Sequence, residues 1–485
     1  MRARAVAPPA LALAAVLWLC APHPSAAAQE SPFAAGEILG RPTDHSITVR
    51  AMGRIALDVA LEWGAAPGPP TSATPAVRFD AGTAIELVAD GLRADTDYVY
   101  RLRYRTPGAA EFTTGVERRF HTARPPGQPF TFVIQADPHM DESSSPAVYE
   151  QALANALADR PDFMIDLGDD AMSDKCAIEG ANPCARPNPA SAERVMQRNL
   201  LLRSYYDRIA HSVPLFMVLG NHEAEAGWLD DGTADNINVW DTLARKALYA
   251  NPRPDGFYSG NGTESPHVGL RENYYAFEWG DALIVALDPF AYTTRKPTRA
   301  TDEELWRWTL GEAQYRWLRQ TLETSTARHK LVFSHHIVGG TTAEARAGAS
   351  VARYFEWGGH NLDGSWGFEQ HRPGWGKPIH QLLVDTGVGA WFHGHDHVYV
   401  AEELDGIVYQ EVPQPSLARY DQVGPAAEYG YVGTPGVNVF ASSGHLRASV
   451  APERVRVEYV LAVPAADETA SRRNGTVIHA YELRR

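Results

Sequence analysis

Five short apolar runs, spread between residues 130 and 393, each stop at a small polar island, and this repeated ending constrains the fold more than any other feature. The runs are FTFVIQA before Asp137-Pro138-His139, FMIDL before Gly168-Asp169-Asp170, LFMVL before Gly220-Asn221-His222-Glu223, KLVF before Ser334-His335-His336, and AWFH before Gly394-His395-Asp396-His397. Runs of this length, apolar and often β-branched, are the pattern of strands buried on both faces. Each polar group therefore lies where a strand stops. In open α/β sheets the crevice outside the carboxyl ends of the strands is where ligands bind, so islands far apart in sequence converge on one place.

The candidate ligands that converge are two carboxylates, one amide and several imidazoles, with no thiolate. Imidazole with carboxylate suits zinc, iron, manganese or nickel, and the lack of cysteine argues against a thiolate zinc site. There are more ligands than one ion takes. Two ions roughly 3.5–4 Å apart need a bridge, which a carboxylate with two oxygens supplies. Asp169 is the candidate bridge, with Asp137, His139 and His397 completing the first metal. Asn221, through its amide oxygen, His335 and His395 complete the second. His336 and His393 read as supporting or structural histidines. Asp170 and Asp396 read as carboxylates that bond neighbouring loop amides. Glu223 either orients His222 or caps the chain that follows.

In this order, DPH, GDD, GNHE, SHH and GHDH resemble the signature of the calcineurin-like metallophosphoesterases, over roughly residues 130 to 445. The resemblance implies a four-layer α/β/β/α sandwich with two metal ions, of iron, manganese or zinc, at the strand ends. Each ligand named above occupies the matching motif position. Met172, three residues after Asp169, stands where purple acid phosphatases place an iron-ligating tyrosine. His139 takes over that role, so no tyrosinate colour is expected and the identity of the metal stays open.

The activity implied is hydrolysis of phosphomonoesters or phosphodiesters by metal-activated hydroxide attack. His222, next to the ligand Asn221, is the natural proton donor to the leaving group. The partner is a small phosphoester. A nucleotidase or cyclic-nucleotide phosphodiesterase is the alternative within this chemistry, and a non-catalytic surface-binding protein the alternative outside it. A formal net charge of −15 argues against a nucleic-acid polymer as partner.

The chain opens with Arg2 and Arg4, an apolar stretch, and small residues around Ala26-Ala27-Ala28, the three parts of a secretory signal over residues 1–28. A secreted or periplasmic protein with no further membrane span follows. In such a compartment Cys176 and Cys184 read as a disulfide closing a short loop. Residues 29–125 are short β-type runs separated by Gly, Pro and Asp, the texture of an all-β sandwich. The stretch GLRADTDYVYRLRY resembles the corner of fibronectin type III domains, with Tyr98 as a tyrosine corner. Pro125-Pro126-Gly127 reads as a linker into the catalytic domain, residues 126–485, which makes the whole an α+β chain. Within that domain, LGEAQYRWLRQTLE puts Leu310, Trp317, Leu318 and Leu322 on one helical face. Residues 224–272 and 341–378 are too long for simple connections and read as lids or pocket walls. In the second, Trp357, His360, Trp366, Arg372 and Trp375 either line a pocket or pack the loop.

Overall fold

The computed structural model describes residues 31–141, 143–174, 191–417, 419, 423–441 and 443–484. The leader expected over residues 1–28 and the disulfide expected between Cys176 and Cys184 lie outside the described residues. Among the described residues no helix is long and apolar enough to cross a membrane.

The N-terminal strands alternate buried and solvent-facing side chains, and they build two sheets of their own. Phe33–Gly40, Ile47–Gly53 and Ala84–Ala89 form one; the long pair Leu57–Ala65 and Asp97–Arg105 centres the other. Val49, Leu61, Tyr100, Leu102 and Phe120 fill the space between them. On the outer face Arg101 and Arg103 both reach Glu62 across the strand pair. The Tyr98 hydroxyl accepts the N–H of Arg93 at 2.9 Å, the bond a tyrosine corner makes. Tyr100 donates its hydroxyl proton to the carbonyl of His211 at 2.7 Å, tying this β region to the larger α/β part.

The five apolar runs become strands of two further sheets. Phe130–Gln135, Phe163–Asp166 and Leu215–Met217 run parallel in a six-stranded sheet that ends in the Gly444–Ala451, Arg454–Leu461 and Val477–Arg484 meander. His329–Phe333 and Ala390–His393 run parallel in the eight-stranded sheet, beside Ala282–Ala286. The sheets face each other across one core in which Phe132, Phe163, Phe216, Phe277, Phe333 and Phe392 meet. Helices Pro146–Ala158 and Ala192–Tyr206 cover the first sheet's outer face. Gly311–Thr324 and Ile379–Asp385 cover the second's. Four layers result because every strand of the runs is apolar on both faces. The Gly311–Thr324 helix starts one residue after Leu310, and Tyr315 shares its buried face with Leu318 and Leu322 while Trp317 is only half-buried.

The two long inter-island stretches are more ordered than their composition suggests. Residues 224–272 contain a helix, Ile237–Leu248, capped by the Asn236 side chain. Its hidden face carries Asp241, Thr242 and Arg245, and Arg245 grips buried Glu225 with Nε at 2.5 Å and Nη2 at 2.9 Å. Trp240, Leu243, Ala244, Ala247 and Leu248 recur at helical spacing behind the Asn236 cap, while the polar members of the buried face are set by their partners. In residues 341–378 the aromatics mostly pack inward. Trp357 is fully buried and donates to the Tyr409 hydroxyl, and Trp375 stacks on Tyr315 at 4.4 Å. Arg372 binds Glu356 and the carbonyls of Trp306 and Trp308. Trp366, edge-on to His360, is half exposed.

Candidate metal centre

All five islands lie at the carboxyl ends of strands, and the two sheets present those ends to one shared rim. Reversing the chain there demands unusual backbone: Asp137, His139, Asp169, His395 and His397 all have positive φ, between 52° and 82°. Such strain persists where surrounding structure over-determines it, which is common at functional sites. The island glycines are required by close approach. A Cβ on Gly220 would meet Asp169 N at 2.2 Å, and one on Gly394 would meet Asp137 Oδ2 at 2.5 Å.

The structure brings together the side chains that the sequence singles out. Donor atoms of Asp137, His139, Asp169 and His397 lie within 4.8 Å of one another, and those of Asp169, His335 and His395 do likewise. Asp169 belongs to both groups. Its Oδ2 is 3.7 Å from His139 Nε2 on one side and 3.2 Å from His335 Nε2 on the other. Asp137 Oδ1 is 3.7 Å from His139 Nε2 and 3.4 Å from His397 Nε2. His335 Nε2 is 3.1 Å from Asn221 Oδ1 and 3.2 Å from His395 Nδ1. Donors that share an ion at about 2.0–2.2 Å sit roughly 3–3.6 Å from each other, so both groups have the spacing of a coordination shell. Asp137 Oδ1 and His139 Nε2 are buried without a hydrogen-bond partner, an arrangement a cation relieves.

The imidazoles are aimed by the atoms on their far side. His335 Nδ1 meets the Leu167 carbonyl at 2.9 Å, His395 Nε2 the Glu344 carbonyl at 2.8 Å, and His139 Nδ1 the Asp141 carboxylate at 3.2 Å. Each contact places a proton on the outer nitrogen and leaves the inner one with a free lone pair. Charge inside the site is strongly felt. Burial disfavours charge on His335, but Asp169, Asp137 and Glu223 raise it to about 9. Burial likewise opposes ionisation of Asp137, and His397 and His139 hold it far below the ordinary carboxylate range. Carboxylates at this depth draw on positive charge from whatever is near.

His222 stands beside these donors and outside both groups. Its backbone N–H donates to Asp169 Oδ1 at 2.9 Å, and its ring Nε2 lies 3.9 Å from Asp169 Oδ2. Asp174 holds the other nitrogen, with Nδ1 at 2.8 and 2.9 Å from its carboxylate oxygens. No motif marks Asp174 in the sequence, although it follows Asp169 in the same loop. Nor does any motif mark Arg198: buried, it donates to the carbonyls of Ala171, His139 and Met140 and so joins the loops that carry Asp169 and His139.

Four neighbours differ from, or resolve, the local roles read for them. Glu223 does not touch the His222 side chain; its carboxylate accepts the N–H groups of Gly220, Asp169 and Asp170. Asp170 bonds no loop amide, and burial beside Asp166 and Glu223 raises it well above the usual range. Asp396 reaches far in sequence, to Ala347 N, Arg346 Nη1 and the Tyr431 hydroxyl, which braces the 341–378 stretch against the metal rim. His393 stacks on Trp391 and pairs with Glu411 at 2.6 Å. His336, the fifth residue in question, packs between Phe290 and Trp308 as a structural group.

A four-layer sandwich with carboxylate, imidazole and amide donors on the rim of its two sheets defines a metallophosphoesterase. The model of the calcineurin-like phosphoesterase family matches residues 130–399, over half of the chain, and the chain belongs to that family. Among solved structures it is similar to the purple acid phosphatase PPD1 from yellow lupin (Lupinus luteus) seeds. The two share 15% identity and a TM-score of 0.60 over 92% of this chain and 74% of that one. It is similar also to PhoD, at 15% identity and a TM-score of 0.61 over 91% of this chain and 88% of that chain. At this identity the likeness concerns the fold. A comparison with curated proteins finds no match.

Proposed function

We propose that this chain is an exported dinuclear phosphoesterase that hydrolyses small phosphomonoesters or phosphodiesters, with His222 as general acid. The observation that carries the reading is the position of Asp169 Oδ2, shared by both donor groups, with His222 Nε2 at 3.9 Å. Asp137, His139 and His397 would hold one ion, Asn221, His335 and His395 the other, with Asp169 between them. Iron, manganese or zinc bound there supplies Lewis acidity and a hydroxide nucleophile at neutral pH. The protein's own part is orientation and proton transfer. Asp174 accepts the Nδ1 proton of His222, which fixes the ring and leaves Nε2 to hand its proton to the departing alkoxide or phenoxide oxygen.

Export rests on the charge, apolar and small-residue pattern of residues 1–28, and the Cys176–Cys184 disulfide rests on that compartment. N-terminal sequencing of the exported protein and thiol titration of the unfolded, unreduced chain check both; a retained leader or two free thiols contradicts them. The Tyr98–Arg93 bond supports a fibronectin type III-like assignment for the β region. The activity is tested with a phosphoester panel, from p-nitrophenyl phosphate and its bis ester to alkyl phosphates and nucleotides, with added manganese, zinc or iron. Elemental analysis of the reconstituted protein should approach two ions per chain. Saturation at one ion would remove the dinuclear claim, and a doubly loaded protein inert to every ester would remove the enzymatic one.

A further inference from the structure

The strand that delivers Asp137 begins, at its other end, beside a recess of about 330 Å³. Six residues separate the two ends, so at about 3.3 Å per residue the recess lies roughly 20 Å from the metal rim. It opens at the seam where the chain passes from the N-terminal β region into the sandwich. Four arginines line it, Arg124, Arg160, Arg454 and Arg456, against one carboxylate, Asp162.

That carboxylate is already committed. Asp162 accepts Arg124 Nε at 2.5 Å, Arg124 Nη2 at 3.0 Å and the Trp279 indole N–H at 3.0 Å. Arg454 and Arg456 have carboxylate partners on the sheet's outer surface: Arg454 Nη1 is 3.4 Å from Glu482, whereas Arg456 holds Glu458 through Nε and Nη2 at 3.1 Å and lies 3.8 Å from Glu482 through Nη1, so of the two Arg454 keeps more of its five donors. The exposed guanidinium of Arg160 makes no ion pair or hydrogen bond among the described residues. In a chain of net charge −15 the recess gathers four guanidiniums, three of them paired with Asp95, Asp162, Glu458 and Glu482 and the fourth, Arg160, unpaired, and the planar fork of that side chain matches tetrahedral oxyanions.

We infer that this recess is a second anion site, which takes a tetrahedral oxyanion of the phosphate class away from the metal centre. Arg160 supplies the uncommitted charge, and Arg454 and Arg456 close on the anion from the opposite wall. Arg124 is the link to the rest of the molecule. It holds Asp95 of the β region at 2.9 Å as well as Asp162, so one wall of the recess itself bridges the seam. The inference does not depend on the catalytic reading.

Isothermal titration of inorganic phosphate into the metal-loaded full chain tests it, beside Arg160→Ala, Arg456→Ala and the double variant. Two classes of phosphate site are expected in the wild type. The double variant should weaken one class at least tenfold and leave phosphate inhibition of ester hydrolysis unchanged. Arg316→Ala, on an exposed surface of the Gly311–Thr324 helix, should bind as the wild type does. Methylphosphonate separates two sources of the same chemistry: binding of phosphate alone marks the free anion, and binding of both marks a phosphoryl group on a larger molecule. A wild type with no site beyond the metal centre, or a double variant that binds both classes unaltered, overturns the inference. If no ester is hydrolysed, the catalytic reading fails and the count of phosphate sites still decides this one.

Discussion

At the scale of single residues the proposed reaction separates groups that hold charge from one group, His222, that moves a proton. His222 lies next to Asn221 in sequence, yet it belongs to neither donor group: Asp174 holds Nδ1, and Nε2 faces the shared Asp169 Oδ2 at 3.9 Å. His222→Ala should therefore retain two metals while turnover falls by roughly 10²–10⁴, the usual worth of general acid catalysis. An alkyl phosphate, whose alkoxide is strongly basic, should lose more than p-nitrophenyl phosphate. Loss of metal, or equal slowing of both esters with chemistry rate-limiting, would recast His222 as structural. Asp174→Asn should give a smaller loss with the same leaving-group dependence, because it disturbs the ring and leaves the proton in place. Asp169→Ala should disperse both ions and abolish hydrolysis of every ester, as read by elemental analysis and the same assays.

At the scale of elements, the ligands stay put because buried polar groups staple the loops that carry them. The helix Ile237–Leu248 is the clearest case of an element whose buried partners the sequence does not reveal. It is held by the Glu225–Arg245 ion pair, both partners only 2% exposed, and by Thr242 donating to the same carboxylate. Removing one partner of a buried pair leaves the other charge uncompensated and costs about 3–5 kcal/mol. Glu225→Gln should accordingly lower the thermal midpoint, measured by differential scanning fluorimetry, far more than Glu312→Gln, whose pairing with Arg316 is exposed. Equal shifts would show that the pair is not what secures the helix. The turns between strands and ligands were legible because apolar runs and glycines are local signals. The partners of those turns were not, since Glu223, Arg198 and Asp396 act on amides and carbonyls that no spacing rule connects to them.

At the scale of the whole molecule, two sheets pool the ends of strands that are separated by up to 260 residues of chain, roughly the span of the family match. The site therefore depends on the complete sandwich, and anything that binds it stabilises that sandwich. A ligand present at a thousand times its Kd contributes about 4 kcal/mol to the folded state. Chelation with EDTA should lower the thermal midpoint, and added manganese or zinc should restore it. A midpoint indifferent to both would argue that the clustered carboxylates and imidazoles hold no ion.

The sequence by itself determined the strands, the islands and the kinds of donor atom, because hydrophobic period, breaks and residue chemistry are all written locally. From these and the order of the motifs the layered α/β sandwich and the preceding β region could be read. Tertiary structure decided which atoms face each other: that Asp169 Oδ2 sits between His139 and His335, that Asp174 turns His222, and that carbonyls of Leu167 and Glu344 fix two imidazole tautomers. Those outcomes depend on where two sheets pack and on backbone forced into positive φ, and such long-range, sub-ångström relations leave no period in a linear chain.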